Sequence, residues 1–229
     1  MRYDAVCFDL DRTLCVSTQD AEAVLASAFD RVGCEPFCGY DDLSALVPEV
    51  ADATTDLEFH RNLFERAATD AGVDPAHSRP LAEAYLDASD PAAVAFRDGA
   101  ESIIERARDR ADAVGLITNG SRETQSQKLE TLGIADAFDE SVFVDPDAGV
   151  PPKPDPIPFE RALAGLGTEP ERTIHVGDTV YADVAGANAA GMDSAWLSPP
   201  AGADQIEEAD STHRPTYEFA SLDGLSSVL

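Results

Sequence analysis

The stretch CFDLDRTLC, residues 7–15, is an apolar run that ends in acids. Ala5 to Phe8 and Leu10 are apolar or small, Asp9 interrupts them, and Asp11 follows two places later. Residues 3–10 therefore read as a buried strand. Such a strand has no packing reason to end in two carboxylates, an arginine and a threonine. A solvated surface would account for one acid, but not for Asp9 between Phe8 and Leu10.

Outward from this strand the pattern changes. Across residues 20–90 the segments AEAVLASAFDRVG, DLEFHRNLFERAATDAG and PLAEAYLDAS carry apolar residues at helical spacing. Asp20 is placed to cap the first helix, and Gly33 and Gly72 to stop helices. Beyond residue 93 helix and strand alternate. A helix over 99–110 leads to the strand DAVGLIT, one over 121–132 to SVFV, one over 157–166 to RTIHVGD, and one over 181–190 to DSAWL. This alternation predicts an α/β fold, a parallel sheet covered by helices on both faces. The first strand joins that sheet, so the helical block is an insert. The expected division is a core from residues 1–14 and 93–229, and a helical domain at 15–92.

A chain of 229 residues holds a core of this size plus an insert. The net charge of −28 repels nucleic acid and anionic membranes, and neither is expected as a partner. Of the 16 basic residues only Lys128 and Lys153 are lysines. An acid-rich, lysine-poor surface suits a cytosol full of salt, and the composition reads as halophilic. The start, MRYDAVCFDL, lacks the pattern of a signal peptide, and no apolar run approaches a membrane span, so a cytoplasmic monomer or small homo-oligomer is expected. Cys34 and Cys38 have loose metal-ligand spacing without a matching pair, and all four cysteines read as reduced thiols.

In open α/β sheets, chemistry collects beyond the carboxyl ends of the strands. Here three strand ends carry polar residues: Asp9-Leu10-Asp11-Arg12-Thr13, Thr118-Asn119-Gly120, and Gly177-Asp178 with Asp183 five residues on. Between the last two lies VPPKPDP, a proline-stiffened loop holding Lys153. Acids converging on one edge repel unless a cation sits among them, and all-oxygen ligands favour a hard divalent ion, most simply Mg²⁺. Lys153, Thr118 and Asn119 then fit an anion beside the metal. A carboxylate, a metal and an anion site together meet the requirement for attack by Asp on phosphorus, with a second acid to protonate the leaving group and activate water.

The segments FDLDRTL, LITNGS, KPDP and HVGDTVYADVAGANAAGM, in this order, resemble the haloacid dehalogenase-like hydrolase superfamily, as does SRETQSQKLETLGIADAFD. The resemblance implies a Rossmann-like core with an inserted helical cap, and a phosphatase acting on a small phosphorylated metabolite through an aspartyl-phosphate. It implies Asp9 as nucleophile and Asp11 as acid/base. Asp9, the Asp11 backbone carbonyl and Asp178 would hold Mg²⁺, supported by Asp183. Thr118, the Asn119 backbone and Lys153 would bind the phosphoryl group. The family's commonest pattern has Gly where this chain has Arg12, whose side chain is expected to point to solvent.

Plainer readings stand beside these. Asp178 caps a following helix, Asp183 is a first-turn helix acid, and Thr118 is a strand-end hydroxyl. Lys128 fits a solvated helix face, and the glycines of GANAAG fit close helix packing better than dinucleotide binding. His60, Arg61 and Phe64, on a helix of the insert, are candidates for substrate contact or for ordinary surface and packing roles. The rival activities are phosphomutase and 2-haloacid dehalogenase. The resembling dehalogenases lack a second acid at the position of Asp11.

Overall fold

The structure is a computed structural model that describes residues 3–50, 53–145, 147–198 and 213–229. The chain divides into two compact units, one within residues 1–16 and 94–229 and the other within 17–93.

The first unit is built on a six-stranded sheet. Its strands are β1 (Ala5–Phe8), β4 (Ala113–Ser121), β5 (Glu140–Val144), β6 (Thr173–Gly177), β7 (Asp193–Leu197) and β8 (Tyr217–Phe219), in the order β5-β4-β1-β6-β7-β8. Every pairing is parallel. β1 is buried along its whole length, as a central strand of a parallel sheet covered on both faces must be. Alternate residues serve different layers. Val6 and Phe8 join a cluster with Ile103 and Ile104 of α5 (Ala100–Arg110), Leu129 of α6 (Arg122–Leu132) and Leu222 of α9 (Leu222–Leu225). Cys7 faces the opposite cluster, with Phe159 and Leu163 of α7 (Ile157–Leu166) and Ala187 of α8 (Ala185–Ala189).

Register sets the site. Phe8 pairs with Leu116 of β4 and with Val176 of β6, so the carboxyl ends of the three strands lie side by side. β4 and β5 lie to one side of β1, and β6 to β8 to the other. β1 therefore stands at the switch point where a parallel sheet opens a crevice.

The second unit is helical: α1 (Ala21–Val32), α2 (Tyr40–Ala45), α3 (Asp56–Asp70) and α4 (Ser78–Ala88). Asp20 caps α1 by accepting from the Ala23 N–H at 3.1 Å, and Gly33 closes it. Leu25, Phe29, Phe64 and Leu81 share its core. Phe64, 1% exposed, meets Phe29 and Tyr85 edge to face, so it is a packing residue and its candidacy for substrate contact falls. His60 is held by Nδ1 against the Asp56 carbonyl at 2.8 Å and lies beside Tyr85, and burial lowers its pKa. Arg61 binds Asn62 Oδ1 at 2.9 Å.

Several elements differ from the sequence reading. β1 is shorter than residues 3–10: the strand covers Ala5–Phe8, and the chain turns over residues 12–14. Between β6 and α8 the backbone first makes a π-helical turn over Val180–Val184, where the Thr179 carbonyl accepts from both Asp183 and Val184. The three-residue strands β2 (Cys15–Ser17) and β3 (Val94–Phe96), which pair with each other, and β8 are too short to show a period. Gly186 of the GANAAG segment lies so close to Phe159 that a Cβ there would come within 2.3 Å of the ring, as close packing requires. The four cysteines are free thiols. No helix among the described residues is long and apolar enough to cross a membrane.

Candidate active site

Beyond β1 the chain closes a tight turn. The Leu10 carbonyl accepts from Leu14 N at 2.9 Å and Cys15 N at 3.1 Å, while Arg12 N donates to the Cys15 carbonyl at 2.7 Å. The turn holds Arg12 at φ 64°, in the left-handed region, and Arg12 is the only non-glycine there among the described residues. This is why glycine suits the position. Arg12 is 67% exposed in its side chain, yet it does not simply point to solvent: its Nε lies 3.3 Å from Asp178 Oδ2. Arg97 donates to the Arg12 carbonyl.

Asp9 stands at the centre. Its N–H donates to the Val176 carbonyl at 2.9 Å, locking it to the end of β6, and its Oδ1 accepts from Lys153 Nζ at 2.7 Å. Lys153 is 2% exposed and spends its three donors on Asp9, on Asp183 Oδ1 at 2.7 Å and on the Ile117 carbonyl at 2.9 Å. Its loop is gripped by the Asn119 side chain, whose Oδ1 accepts from Lys153 N at 2.7 Å and whose Nδ2 donates to the Lys153 carbonyl at 3.1 Å.

Asp183 is saturated. Oδ1 takes Lys153 and His175 Nε2, the latter at 2.9 Å, and Oδ2 takes the Thr179 N–H at 3.1 Å and hydroxyl at 2.7 Å. The carboxylate reaches these partners by packing onto Gly177, where a Cβ would come within 2.1 Å of its Cγ. Asp178 is fixed through its carbonyl by the Trp196 indole N–H at 2.9 Å.

Asp9, Asp178 and Asp183 each offer an oxygen within 4.8 Å of the others. Their electrostatics diverge. Burial, with repulsion from Asp183 only partly answered by Lys153, pushes Asp9 up to about 6. Burial, then repulsion from Asp9 and Asp183, pushes Asp178 up to about 8 despite Arg12. Burial also opposes the charge of Asp183, but Lys153 and His175 outweigh it and hold that carboxyl well below its usual range. Burial likewise opposes the charge of Lys153, and Asp183 and Asp9 outweigh it, so its pKa is raised. Asp9 and Asp178 are thus short of positive charge, and Asp183 is not.

Asp11 faces another way. Its carboxylate accepts from Lys128 Nζ at 2.6 and 2.8 Å and from Gln125 Nε2 at 2.7 Å. Lys128, with only 14% of its side chain exposed, is no solvated helix residue. The structure overturns that reading because α6 runs past the Asp11 turn. Gln125 also donates to the Thr118 hydroxyl at 2.6 Å.

The structure therefore joins Asp9, Lys153 and Asp183 in one hydrogen-bonded network with Asp178 beside it, ties Asn119 to the Lys153 loop, and gathers Asp11 and Thr118 into a separate cluster with Gln125 and Lys128. Sequence reasoning missed His175, Gln125 and Trp196. Gln125 had a readable signal: it lies four residues before Leu129, on the buried face of α6. His175 alternates with apolar residues in a buried strand and carried none.

A sequence model of the haloacid dehalogenase-like hydrolase family matches residues 3–191. A phosphoserine phosphatase of Thermus thermophilus is 35% identical over 139 residues, 61% of this chain and 54% of that protein. A pyrimidine 5′-nucleotidase of Escherichia coli is 30% identical over 236 residues, 100% of this chain and 99% of that one. Among solved structures, a HAD-hydrolase of Bacillus subtilis bound to magnesium superimposes with a TM-score of 0.71 at 23% identity, covering 100% of this chain and 99% of that one.

Proposed function

The chain belongs to the haloacid dehalogenase-like hydrolases, and from that membership we propose that it is a Mg²⁺-dependent phosphatase of small phosphorylated metabolites that works through an aspartyl-phosphate on Asp9. The observation that carries the reading is the buried Lys153 ammonium, 2.7 Å from Asp9 at the end of β1 and bound to the carbonyl of Ile117, the residue before Thr118. A nucleophilic carboxylate with a fixed cation beside it is arranged to receive an anion. In this reading the helical insert serves as the family's cap. The named activities of the phosphoserine phosphatase and the pyrimidine nucleotidase support a metabolite-sized substrate.

The donor set fits a hard divalent cation: three converging carboxylates, two of them buried, of which Asp9 and Asp178 lack compensating charge. Asp9, Asp178 and the Asp11 carbonyl would hold Mg²⁺, and Asp183, whose oxygens are already taken, would anchor Lys153 and His175. Bound there, the ion supplies positive charge to the transferring phosphoryl group. An Asp9 oxygen attacks phosphorus as the bond to the leaving oxygen breaks, and Asp11 gives that oxygen a proton. Asp11 then takes a proton from water, whose oxygen attacks phosphorus, releasing phosphate and restoring Asp9. The Thr118 hydroxyl and the Asn119 backbone N–H bind phosphoryl oxygens, since the Asn119 side chain is committed to the Lys153 loop, and the Lys153 ammonium, its donors spent, offers its charge to the phosphoryl group beside Asp9. Phosphomutase chemistry shares these acids. Dehalogenation has no use for Asp11.

The deciding experiment is a panel of metabolite phosphates with Mg²⁺ at high salt. Chelation is expected to remove activity and Mg²⁺ to restore it, and Asp178→Ala to raise the Mg²⁺ requirement by at least tenfold. Full activity in excess chelator would turn the assignment toward dehalogenation. The affinity for Mg²⁺ should also rise with pH. Asp178 at about 8 and Asp9 at about 6 must lose protons to bind a cation, so each pH unit between 6 and 8 strengthens binding up to about tenfold. Calorimetric titration at pH 6 and pH 8 measures this, and a pH-independent affinity would speak against these ligands.

The −28 charge and the two lysines carry a separate expectation, a halophilic protein. At about 0.01 M salt the Debye length is about 30 Å and surface acids repel across the domain; at 1 M it is about 3 Å. The melting temperature should climb steeply from dilute buffer to molar KCl. A flat or falling curve would refute the halophilic reading and leave the phosphatase assignment intact.

A further inference from the structure

We propose that Gln125 and Lys128, three residues apart on α6, are positioning residues that hold the Asp11 carboxylate and the Thr118 hydroxyl in fixed relation, joining the acid/base to the phosphate site. The inference rests on the phosphatase reading above. The chain has only two lysines, and each binds one of the two acids of the β1 turn: Lys153 binds Asp9, and Lys128 binds Asp11 through both oxygens at 2.6 and 2.8 Å. Two contacts from one ammonium, joined by the Gln125 amide on Oδ2 at 2.7 Å, fix the Asp11 side chain at a position its half-exposed setting would not otherwise impose.

Gln125 is fully buried, and its amide nitrogen bridges Asp11 and the Thr118 oxygen, which is 2.6 Å away. The Asp11 Oδ2 that the amide meets also accepts from the Lys128 ammonium at 2.8 Å, so the amide presents its nitrogen, the donor, to Asp11. Both amide hydrogens are then used. The Thr118 oxygen accepts one, which leaves the threonine's own hydrogen to be donated to a phosphoryl oxygen. The amide oxygen, Oε1, has no partner among the described residues, a cost that packing alone would have removed with an apolar side chain. Gly120 makes room: a Cβ there would come within 2.5 Å of the amide.

The test compares kcat and KM for p-nitrophenyl phosphate, whose leaving group needs no proton, and glycerol 2-phosphate, whose leaving group does. The variants are Lys128→Met, Lys128→Arg and Gln125→Met, each checked for folding by circular dichroism and melting. Lys128→Met should lower kcat/KM for glycerol 2-phosphate about 10- to 100-fold, and for the aryl phosphate less than threefold. Lys128→Arg should restore most of the loss. Gln125→Met should raise KM for both substrates severalfold and add the same leaving-group dependence. Equal losses on both substrates, or none, in a folded variant would overturn the inference alone. A wild-type protein that hydrolyses neither substrate with Mg²⁺ would overturn the phosphatase reading and the inference with it. Should Lys128→Met not fold, Gln125→Met decides by the same ratio.

Discussion

Asp9→Asn is expected to lower turnover of an aryl phosphate by about 10⁴- to 10⁶-fold while the protein stays folded. The expectation follows from what the change keeps and removes. The amide retains an oxygen that can accept from Lys153 Nζ, now at 2.7 Å, and its volume matches the buried slot between Phe8 and Leu10. It removes one buried charge from a cluster in which Asp178 is already pushed up to about 8 by burial and by its acidic neighbours. The folded state therefore loses some attraction to Lys153 and some repulsion from Asp178, and the net effect on melting is small. What disappears is a nucleophile able to form and release an acyl phosphate. Steady-state kinetics on purified protein, with circular dichroism alongside, measures this. A variant that keeps a tenth of wild-type activity would remove Asp9 from the role of nucleophile.

Lys153→Met has a larger effect on the fold. The substitution matches the volume of the buried stem but leaves the Asp9 and Asp183 carboxylates and the Ile117 carbonyl each without one donor. Breaking a buried ion pair from one side costs about 3–5 kcal/mol, which for a chain of this size lowers the melting temperature by roughly 10 °C. Activity should fall at least about 10³-fold, because the charge that meets the phosphoryl group is gone.

The stability loss carries a pH signature. In the wild type, Asp183 is held well below the ordinary carboxylate range, so it adds stability above the unfolded value near 4 that is lost on acidification. In the variant, Asp9 loses the ammonium that restrained its rise, so its folded value lies further above the unfolded one. It then costs stability once the pH passes upward through the unfolded value near 4, most fully above its folded value. The Asp183 part of the gap is lost only below pH 4, toward its low folded value, and the Asp9 part opens only above pH 6, because the wild-type carboxyl already sits at about 6, so the gap is widest well above pH 6 and narrowest below pH 4. Melting curves across that range would show it, and a constant gap would mean that Lys153 acts by packing alone.

Much of this was legible in the chain. A parallel sheet follows from helices alternating with buried strands, because each strand must bury both faces and only crossover helices supply the cover. Asp9, Asp178 and Thr118 were readable as neighbours, because strands in such a sheet share one carboxyl edge and the apolar runs end at those residues. The charge and the two lysines were readable outright, being properties of composition. What composition and periodicity cannot carry is the direction of a side chain after a strand ends. Asp11 lies two residues from Asp9, yet its carboxylate meets α6, where Lys128 and Gln125 bind it, while Asp9 meets Lys153. Lys128 looked like a solvated residue on a polar helix until α6 was laid against that turn. His175 and Asp183 are eight residues apart, and the π-helical turn between β6 and α8 returns the acid onto Gly177 and beneath Lys153. Local spacing placed these residues on their elements. Which charge faces which is set by the packing of one element on another, and that is a property of the tertiary structure alone.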